Sequence, residues 1–548
     1  MSVGMRPRLI KAARVVTMCD EDPYLIAAEP AFVTIGEWIT AVGEYDDLLA
    51  QHPNAELVDF GNATIVPGFN DAHQHPTMTA GNMRGVDLSH ATSHAQVASL
   101  LSERISSSAT GEWVVGTRYD HAKSGDITPL SRDDLDELTG QHPVLLINIG
   151  AHWGVVNSAG LHAAGLTEAS QDPPGGELVR DADGRLTGIV HEQALFDVAY
   201  PALSRGNPAI PPQDQEAALA QLIETLRALN ALGITSVGDA MVGPVELGLL
   251  QEAHRRGLLT VRVNALLTYP HVDALRRTGL RTDFGDRWLR IGGIKAFADG
   301  AVAGGTCLVD EPFEGTEDHG IQTLPVEELD ELVELVHRSG NRLAIHANGD
   351  RAIRMVLDSI ESARQKHPDV QVQHRIEHCT VVDDDIVDRL RRSGTIAVPF
   401  GSYVDFHGDK LLAYYGADRL ERMFAHRKLL DSGVPVAGSS DFPCGPVEPL
   451  RALRSCITRR SGSGKSDGQV LGGSQRITPV EALALYTTGS AHASGEDDCK
   501  GRIWPGFLAD FAVLNGDPLT VDPIALPDLD VRQTWVGGEP VWHLGQER

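Results

Sequence analysis

The stretch Ala63-Thr-Ile-Val-Pro-Gly-Phe-Asn-Asp-Ala-His73-Gln-His75 runs from apolar, β-branched residues into two histidines one position apart. Alternate side chains of a strand share a face, so the two imidazoles converge and suit a single ion. With 22 histidines in 548 residues, about one such pair is expected by chance. The pair alone therefore carries little. Its place at the end of an apolar run carries more, because barrel enzymes set their reactive groups where strands end.

Outward from this stretch, the middle of the chain alternates. The apolar runs Trp113–Gly116, Val144–Ile147, Ile234–Val237, Leu289–Ile294, Leu343–Ile345, Thr395–Val398 and Val434–Ala437 are short. Helix-like segments separate many of them, among them Asp214–Leu232, Val326–Arg338 and Ala352–Gln365. Such alternation indicates βαβ units and a parallel sheet. With the run ending at His73 and with Arg375–His378, about eight or nine strands result, which predicts an α/β fold built on a (β/α)8 TIM-like barrel. Both chain ends read instead as short strands between turns, and predict a small β-sandwich module formed by both termini. The expected division is 1–64 plus 503–548 for that module and 65–502 for the barrel. Leu161–Gly188, rich in Pro, Gly and Asp, reads as an inserted loop, and Ser461–Ser474 as a Gly/Ser-rich polar loop.

Three further apolar runs end in residues that bind metals. Arg342-Leu-Ala-Ile leads to His346, Arg375-Ile-Glu to His378, and Val434-Pro-Val-Ala-Gly-Ser-Ser to Asp441. Each taken singly reads equally well as a capping or loop residue; together and in this order they form a ligand set. Neutral imidazoles and a carboxylate suit Zn2+, Mn2+ or Fe2+. Lys295 ends Leu289-Arg-Ile-Gly-Gly-Ile and precedes Ala-Phe-Ala-Asp-Gly. A buried ammonium beside a dication is unfavourable. Carboxylation by CO2 would turn it into an anionic bridging ligand; the alternative is an ordinary salt-bridged lysine.

Hydrophobic residues make up 42% and charged residues 22%, a composition that builds a large core. Asp plus Glu number 75 against 47 Lys plus Arg, for a net charge of −28. Such a surface repels phosphate backbones and anionic lipid, which argues against nucleic-acid and membrane partners. No apolar run approaches the length of a membrane span. The six cysteines form no C-x-x-C pair, and a chain this poor in cysteine is expected in a reducing cytoplasm.

Taken together these residues resemble the amidohydrolase superfamily, and within it the YtcJ-like branch, amidohydrolase family 3. Ile65-Val-Pro-Gly-Phe-Asn-Asp-Ala-His73-Gln-His75 is similar to that family's first-strand motif, and Gly292-Gly-Ile-Lys295-Ala-Phe-Ala-Asp299-Gly300 to its fourth-strand lysine segment. Ile345-His346-Ala-Asn-Gly-Asp350, Arg375-Ile-Glu-His378 and Gly438-Ser-Ser-Asp441 resemble its fifth, sixth and eighth strand ends. Ala151-His152-Trp-Gly-Val-Val-Asn157-Ser158, Pro173-Pro-Gly-Gly176 and Gly501-Arg-Ile-Trp-Pro505-Gly506-Phe-Leu-Ala509-Asp510 also match. Gly36-Glu-Trp-Ile in place of Gly-Arg-Ile, and Phe69-Asn70 in place of a more apolar pair, are departures that touch no candidate ligand.

The resemblance implies a hydrolase acting through one or two divalent ions, Zn2+ before Mn2+ or Fe2+. His73, His75 and Asp441 would hold one ion, His346 and His378 a second, and carboxylated Lys295 would bridge them. Asp441 would move the water proton to the leaving amine. His152 would either donate to the substrate oxygen or cap its loop with Asn157. In size and layout the chain is similar to N-substituted formamide deformylases, so the expected substrate is a small-molecule amide. Acyl amides, carbamates, esters, lactones, phosphotriesters, deamination and a regulatory role without catalysis are the other readings on this fold, and a homodimer is among the assemblies it allows. Asp299 and Glu377 adjoin candidate ligands; strand alternation turns Glu377 away from the metal into a salt bridge. Cys379 reads as core and His374 as packing or solvent-facing. Trp38, Trp504 and Trp542 read as core of the terminal module. The loops Leu161–Gly188, Glu311–Ile321 and Val404–Arg419 are expected to shape the pocket, with Phe313, Tyr403, Phe406, Tyr414 and Tyr415 as candidates for an apolar substrate group.

Overall fold

The computed structural model describes residues 6–19, 22–82, 85–121, 128–206, 208–211, 214–462 and 468–545. Residues 463–467 of the Gly/Ser-rich stretch lie outside the described residues.

Seven strands form one parallel sheet in chain order. They are β1 (Phe69–Gln74), β2 (Ile234–Val242), β3 (Arg262–Thr268), β4 (Leu289–Phe297), β5 (Leu343–Ala347), β6 (Arg375–His378) and β7 (Ile396–Val398). All nine residues of β2 are buried, as expected of a strand covered on both faces. The segment 434–441 completes the ring. On one side it bridges β7 and its extension through Ala397–Val436 and Phe400–Ser439. On the other, Ala72 N donates to Gly438 O at 3.1 Å and Asp441 N to His73 O at 2.9 Å. The result is an α/β, TIM-like barrel.

The outer helices show why they pack where they do. Asp350–Lys366 buries Ala352, Ile353, Val356, Leu357, Ile360 and Ala363, a stripe with helical spacing. Asp384–Ser393 is capped by the Asp383 side chain, which accepts from Ile386 N, and ends at Gly394 in the left-handed region. One continuous apolar cluster joins these helices to the outward faces of the strands.

Two smaller sheets lie beside the barrel. One contains Trp38–Glu44, Pro30–Ile35, Arg8–Lys11 and Glu56–Asp59; the other contains Arg14–Val15, Thr64–Pro67, Phe511–Leu514, Val531–Val536 and Glu539–His543. A single cluster takes Ile10 and Phe32 from the first and Ile65, Phe511 and Trp535 from the second. The division expected at residue 64 falls inside a strand, because residues 64–67 pair with Phe511–Leu514. The chain leaves that sheet at Gly68, where a Cβ would lie 2.2 Å from Thr235 Oγ1, and enters the barrel at Phe69. Arg262, fully buried in β3, ties barrel to terminal sheet through two hydrogen bonds to Asp510, of 2.6 and 3.0 Å.

Four expectations need correction. Trp113–Gly116 and Val144–Ile147 do not supply barrel strands; Val114–Tyr119 and Val144–Asn148 belong to a separate six-stranded sheet inserted between β1 and β2. A buried apolar run has the same pattern in either sheet. Leu161–Gly188 is not simply a loop, since it holds the edge strand Gly176–Arg180 and the start of Leu186–Glu192 in that sheet. Val404–Arg419 lies in the helix Tyr403–Leu420, broken at Gly416 by a φ of 71°. Among the tryptophans, Trp504 is 41% exposed and Trp542 packs against the barrel cluster; Trp535 fills the core between the terminal sheets.

Candidate metal centre

The C-terminal ends of the barrel strands bring the predicted groups to one place. His73 lies in β1 with His75 just beyond it, Lys295 in β4, His346 in β5 and His378 at the end of β6, with Asp441 on the closing segment. All six, with His152, line one cavity of about 30 Å3. Each of the six is no more than 7% exposed.

The tightest group is His73, His378 and Asp441, whose ligand atoms lie within 4.8 Å of one another. His75 Nε2 stands 3.0 Å and His73 Nε2 3.4 Å from Asp441 Oδ1. The His378 ring sits between two others, 4.7 Å from His73 and 4.6 Å from His346, centroid to centroid. His378 thus adjoins both ion positions implied by the resemblance. His378 and Asp441 both have positive φ, 70° and 54°. A side chain other than glycine pays for that conformation, so it persists where surroundings impose it.

Burial sets the charges. It lowers His75 to about 4 and holds His346 and His378 well below the usual imidazole range. Burial alone would raise Asp441, but His378, His73 and His75 hold it well below the usual carboxylate range. Neutral imidazoles around an ionised carboxylate are the state a divalent cation requires. Burial also lowers Lys295 to about 8, against the opposing pull of Glu377 and Asp441. Its ammonium lies over the Phe297 ring, 4.6 Å from the centroid.

Partners fix which nitrogens are available. Glu377 accepts from His73 Nδ1 and is itself gripped by Arg375. Nε2 of His73, Nδ1 of His75 and Nδ1 of His378 are buried without a hydrogen-bond partner. Unpaired imidazole nitrogens lining one cavity fit a divalent cation. His346 Nε2 lies 3.0 Å from the Gly300 carbonyl and 2.9 Å from Asn348 Nδ2, so a ligand bond from this ring would use Nδ1. The Tyr403 hydroxyl donates to Asp441 Oδ2 at 3.1 Å.

The expectation for Glu377 is corrected in part. It does pair with Arg375, but it also touches a candidate ligand. Alternation misplaces it because His378 and Cys379 leave strand geometry through positive φ, so Glu377 and His378 both reach the site. His374 is not solvent-facing: it is buried, 3.0 Å from His337 Nδ1 and from Leu343 N. Cys379 is buried in the main cluster. Asp299 accepts from the backbone of Leu308, Asn348 and Gly349, so it braces the loop that follows His346. His152 is not at a barrel strand end; it lies between strands of the inserted sheet and leans over His346 at 4.9 Å. Its Nδ1 lies 2.7 Å from Glu192, and that pairing overcomes burial to raise it. Asn157 caps its own helix instead, accepting from Gly160 N. Of the aromatic candidates, Phe313, Tyr403 and Tyr415 are buried together in one cluster.

A profile described as the amidohydrolase family matches residues 56–542. The chain belongs to the amidohydrolase family. Within that family it is 31% identical over 510 residues to YtcJ of Bacillus subtilis (strain 168), whose name assigns it to the amidohydrolases, covering 92% of this chain and 94% of YtcJ. It is 30% identical over 550 residues to the N-substituted formamide deformylase of Arthrobacter pascens, covering 97% and 98%. A crystal structure of an uncharacterized metal-dependent hydrolase from Pyrococcus horikoshii OT3 shares the fold, with a TM-score of 0.74, 24% identity and coverage of 94% and 99%. No helix among the described residues is long and apolar enough to cross a membrane.

Proposed function

We propose that this amidohydrolase removes the formyl group from N-substituted formamides, using one or two divalent ions, with Zn2+ the first choice. The observation that carries the reading is the convergence of five imidazoles, one carboxylate and one lysine on a single small cavity. Similarity to the Arthrobacter pascens deformylase over nearly the whole chain supports the substrate class.

His73, His75, His378 and Asp441 would hold the first ion, and His346 and Lys295 would add the ligands of a second. A bound divalent cation polarises the substrate carbonyl and lowers the pKa of a water from 15.7 to about 7. The remaining work falls to side chains. Only a neutral amine reacts with CO2, and a lysine lowered to about 8 is partly neutral at ordinary pH, which makes Lys295 fit for carboxylation. Asp441 takes the proton of the attacking water and passes it to the departing nitrogen. Tyr403 keeps one Asp441 oxygen oriented, and Glu377 keeps His73 in the tautomer that presents Nε2. His152, held by Glu192 and leaning on His346, would donate to the carbonyl oxygen. One C–N bond breaks and one C–O bond forms, giving formate and an amine.

The test is a turnover screen of metal-loaded protein against matched formamides, acetamides, carbamates and esters. The reading predicts the highest kcat/KM for the formamides. Inert formamides beside active members of another class would overturn it.

A further inference from the structure

Next to the metal cavity lies a second one of about 610 Å3. Met78, Tyr200 and Met241 belong to the walls of both, so the two spaces meet at these three side chains. Beyond them the larger cavity is lined by apolar side chains such as Trp113, Ile147 and Leu249. Among the described residues the charges in its wall are already committed. Arg104 faces Glu112 at 3.4 Å, and Glu246 caps its own helix through Gly243 N at 3.0 Å. Among the described wall residues the hydroxyls of Thr77 and Tyr200 are buried without a hydrogen-bond partner, and that of Tyr200, a residue 5% exposed, belongs to the neck shared with the metal cavity. An unpaired phenol between a metal-type cavity and an apolar one is costly unless a ligand meets it.

Resting on the amide-hydrolase reading above, we infer that this cavity binds an uncharged apolar substituent on the amide nitrogen, with the Tyr200 hydroxyl hydrogen-bonding the amide at the neck. The metal cavity has room for the reacting group alone, so a substituent must leave it. The shared walls lead that substituent into mainly apolar surroundings, where the charged groups of the described residues are already paired. Tyr200 then acts by orienting the amide, and the cavity selects by apolar area.

Gly248 offers a clean probe. It lines the cavity from the helix Pro244–Arg255, and a Cβ added there meets open space. Gly248→Leu puts bulk into the cavity at a helix position where leucine is better tolerated than glycine. Metal-loaded enzyme would be assayed with N-methyl-, N-propyl- and N-hexylformamide, and with an N-(5-carboxypentyl) analogue. In the native enzyme kcat/KM should rise about fourfold for each added methylene and fall at least tenfold for the carboxylate analogue. Gly248→Leu should cut the hexyl-to-methyl ratio at least tenfold, and Tyr200→Phe should lower kcat/KM for all chain lengths while keeping the ratio. Binding of the neutral fluorophore N-phenyl-1-naphthylamine reads the cavity without turnover; it should be single-site and at least tenfold weaker in Gly248→Leu. A flat chain-length series, or equal probe binding by native protein and Gly248→Leu, would overturn the inference. Cavity-dependent probe binding with no amide turned over would sustain the apolar site and overturn the proposed reaction instead.

Discussion

Asp441 is the residue on which contacts converge: it meets His73, His75 and the Tyr403 hydroxyl. Asp441→Asn keeps its size and removes its charge and basicity. The expected result is a kcat lower by about a thousandfold, within the range for losing general acid–base catalysis, with metal still bound when supplied in excess. Steady-state kinetics with metal analysis on the same sample checks it; a kcat within threefold of the native value would remove the proton-transfer role. At this scale much of the site was legible in the sequence, because His73, His75, Lys295, His346, His378 and Asp441 each close an apolar run. What was not legible is tertiary. Glu192 sits forty residues from His152, and no local pattern announces the pair. Tyr403 reads as a loop aromatic until the helix bearing it packs its hydroxyl on Asp441. Glu377 was visible, but that it shares the site with His378 depends on the positive φ at His378.

Among elements, the strand-to-strand handover at Gly68 is the tightest. Thr64–Pro67 serves the terminal sheet and Phe69–Gln74 the barrel, with one residue between them. Gly68→Ala would drive a methyl to 2.2 Å from Thr235 Oγ1, and overpacking of this kind costs about 1–3 kcal/mol. A lower thermal unfolding midpoint, with residual activity retained below it, is the expected outcome; an unchanged midpoint would show that Thr235 gives way freely. The barrel strands were readable as apolar runs, and helix periodicity placed Val326–Arg338 at its true bounds. Assigning each run to its sheet was not possible from pattern, since Val144–Asn148 is as fully buried as any barrel strand. The partner strand, which only the fold supplies, decides that question.

For the whole molecule, buried titratable groups make stability depend on pH. His75, His346, His374, His378 and His426 are all held below the usual imidazole range, mainly by burial. The unfolded chain therefore binds more protons at these positions between about pH 4 and 6.5, so stability rises with pH there. Asp71, Asp239 and Asp299, raised by burial to about 6, 7 and 7, act in the opposite sense, because the folded state keeps their protons. Among the described residues lowered imidazoles outnumber raised carboxylates, which leaves the metal-free protein less stable at pH 4.5 than at pH 6.5, as thermal unfolding in matched ionic strength checks. The acid excess that yields −28 shapes the surface and has no part in the centre beyond a few buried carboxylates. The central claim is that strand-end imidazoles and Asp441 hold a divalent ion on which hydrolysis depends. The direct measurement is N-hexylformamide hydrolysis by protein stripped with chelator, verified metal-free, and then titrated with Zn2+. The account predicts activity lost on stripping and restored by one to two equivalents per chain; full activity in the metal-free protein would contradict it.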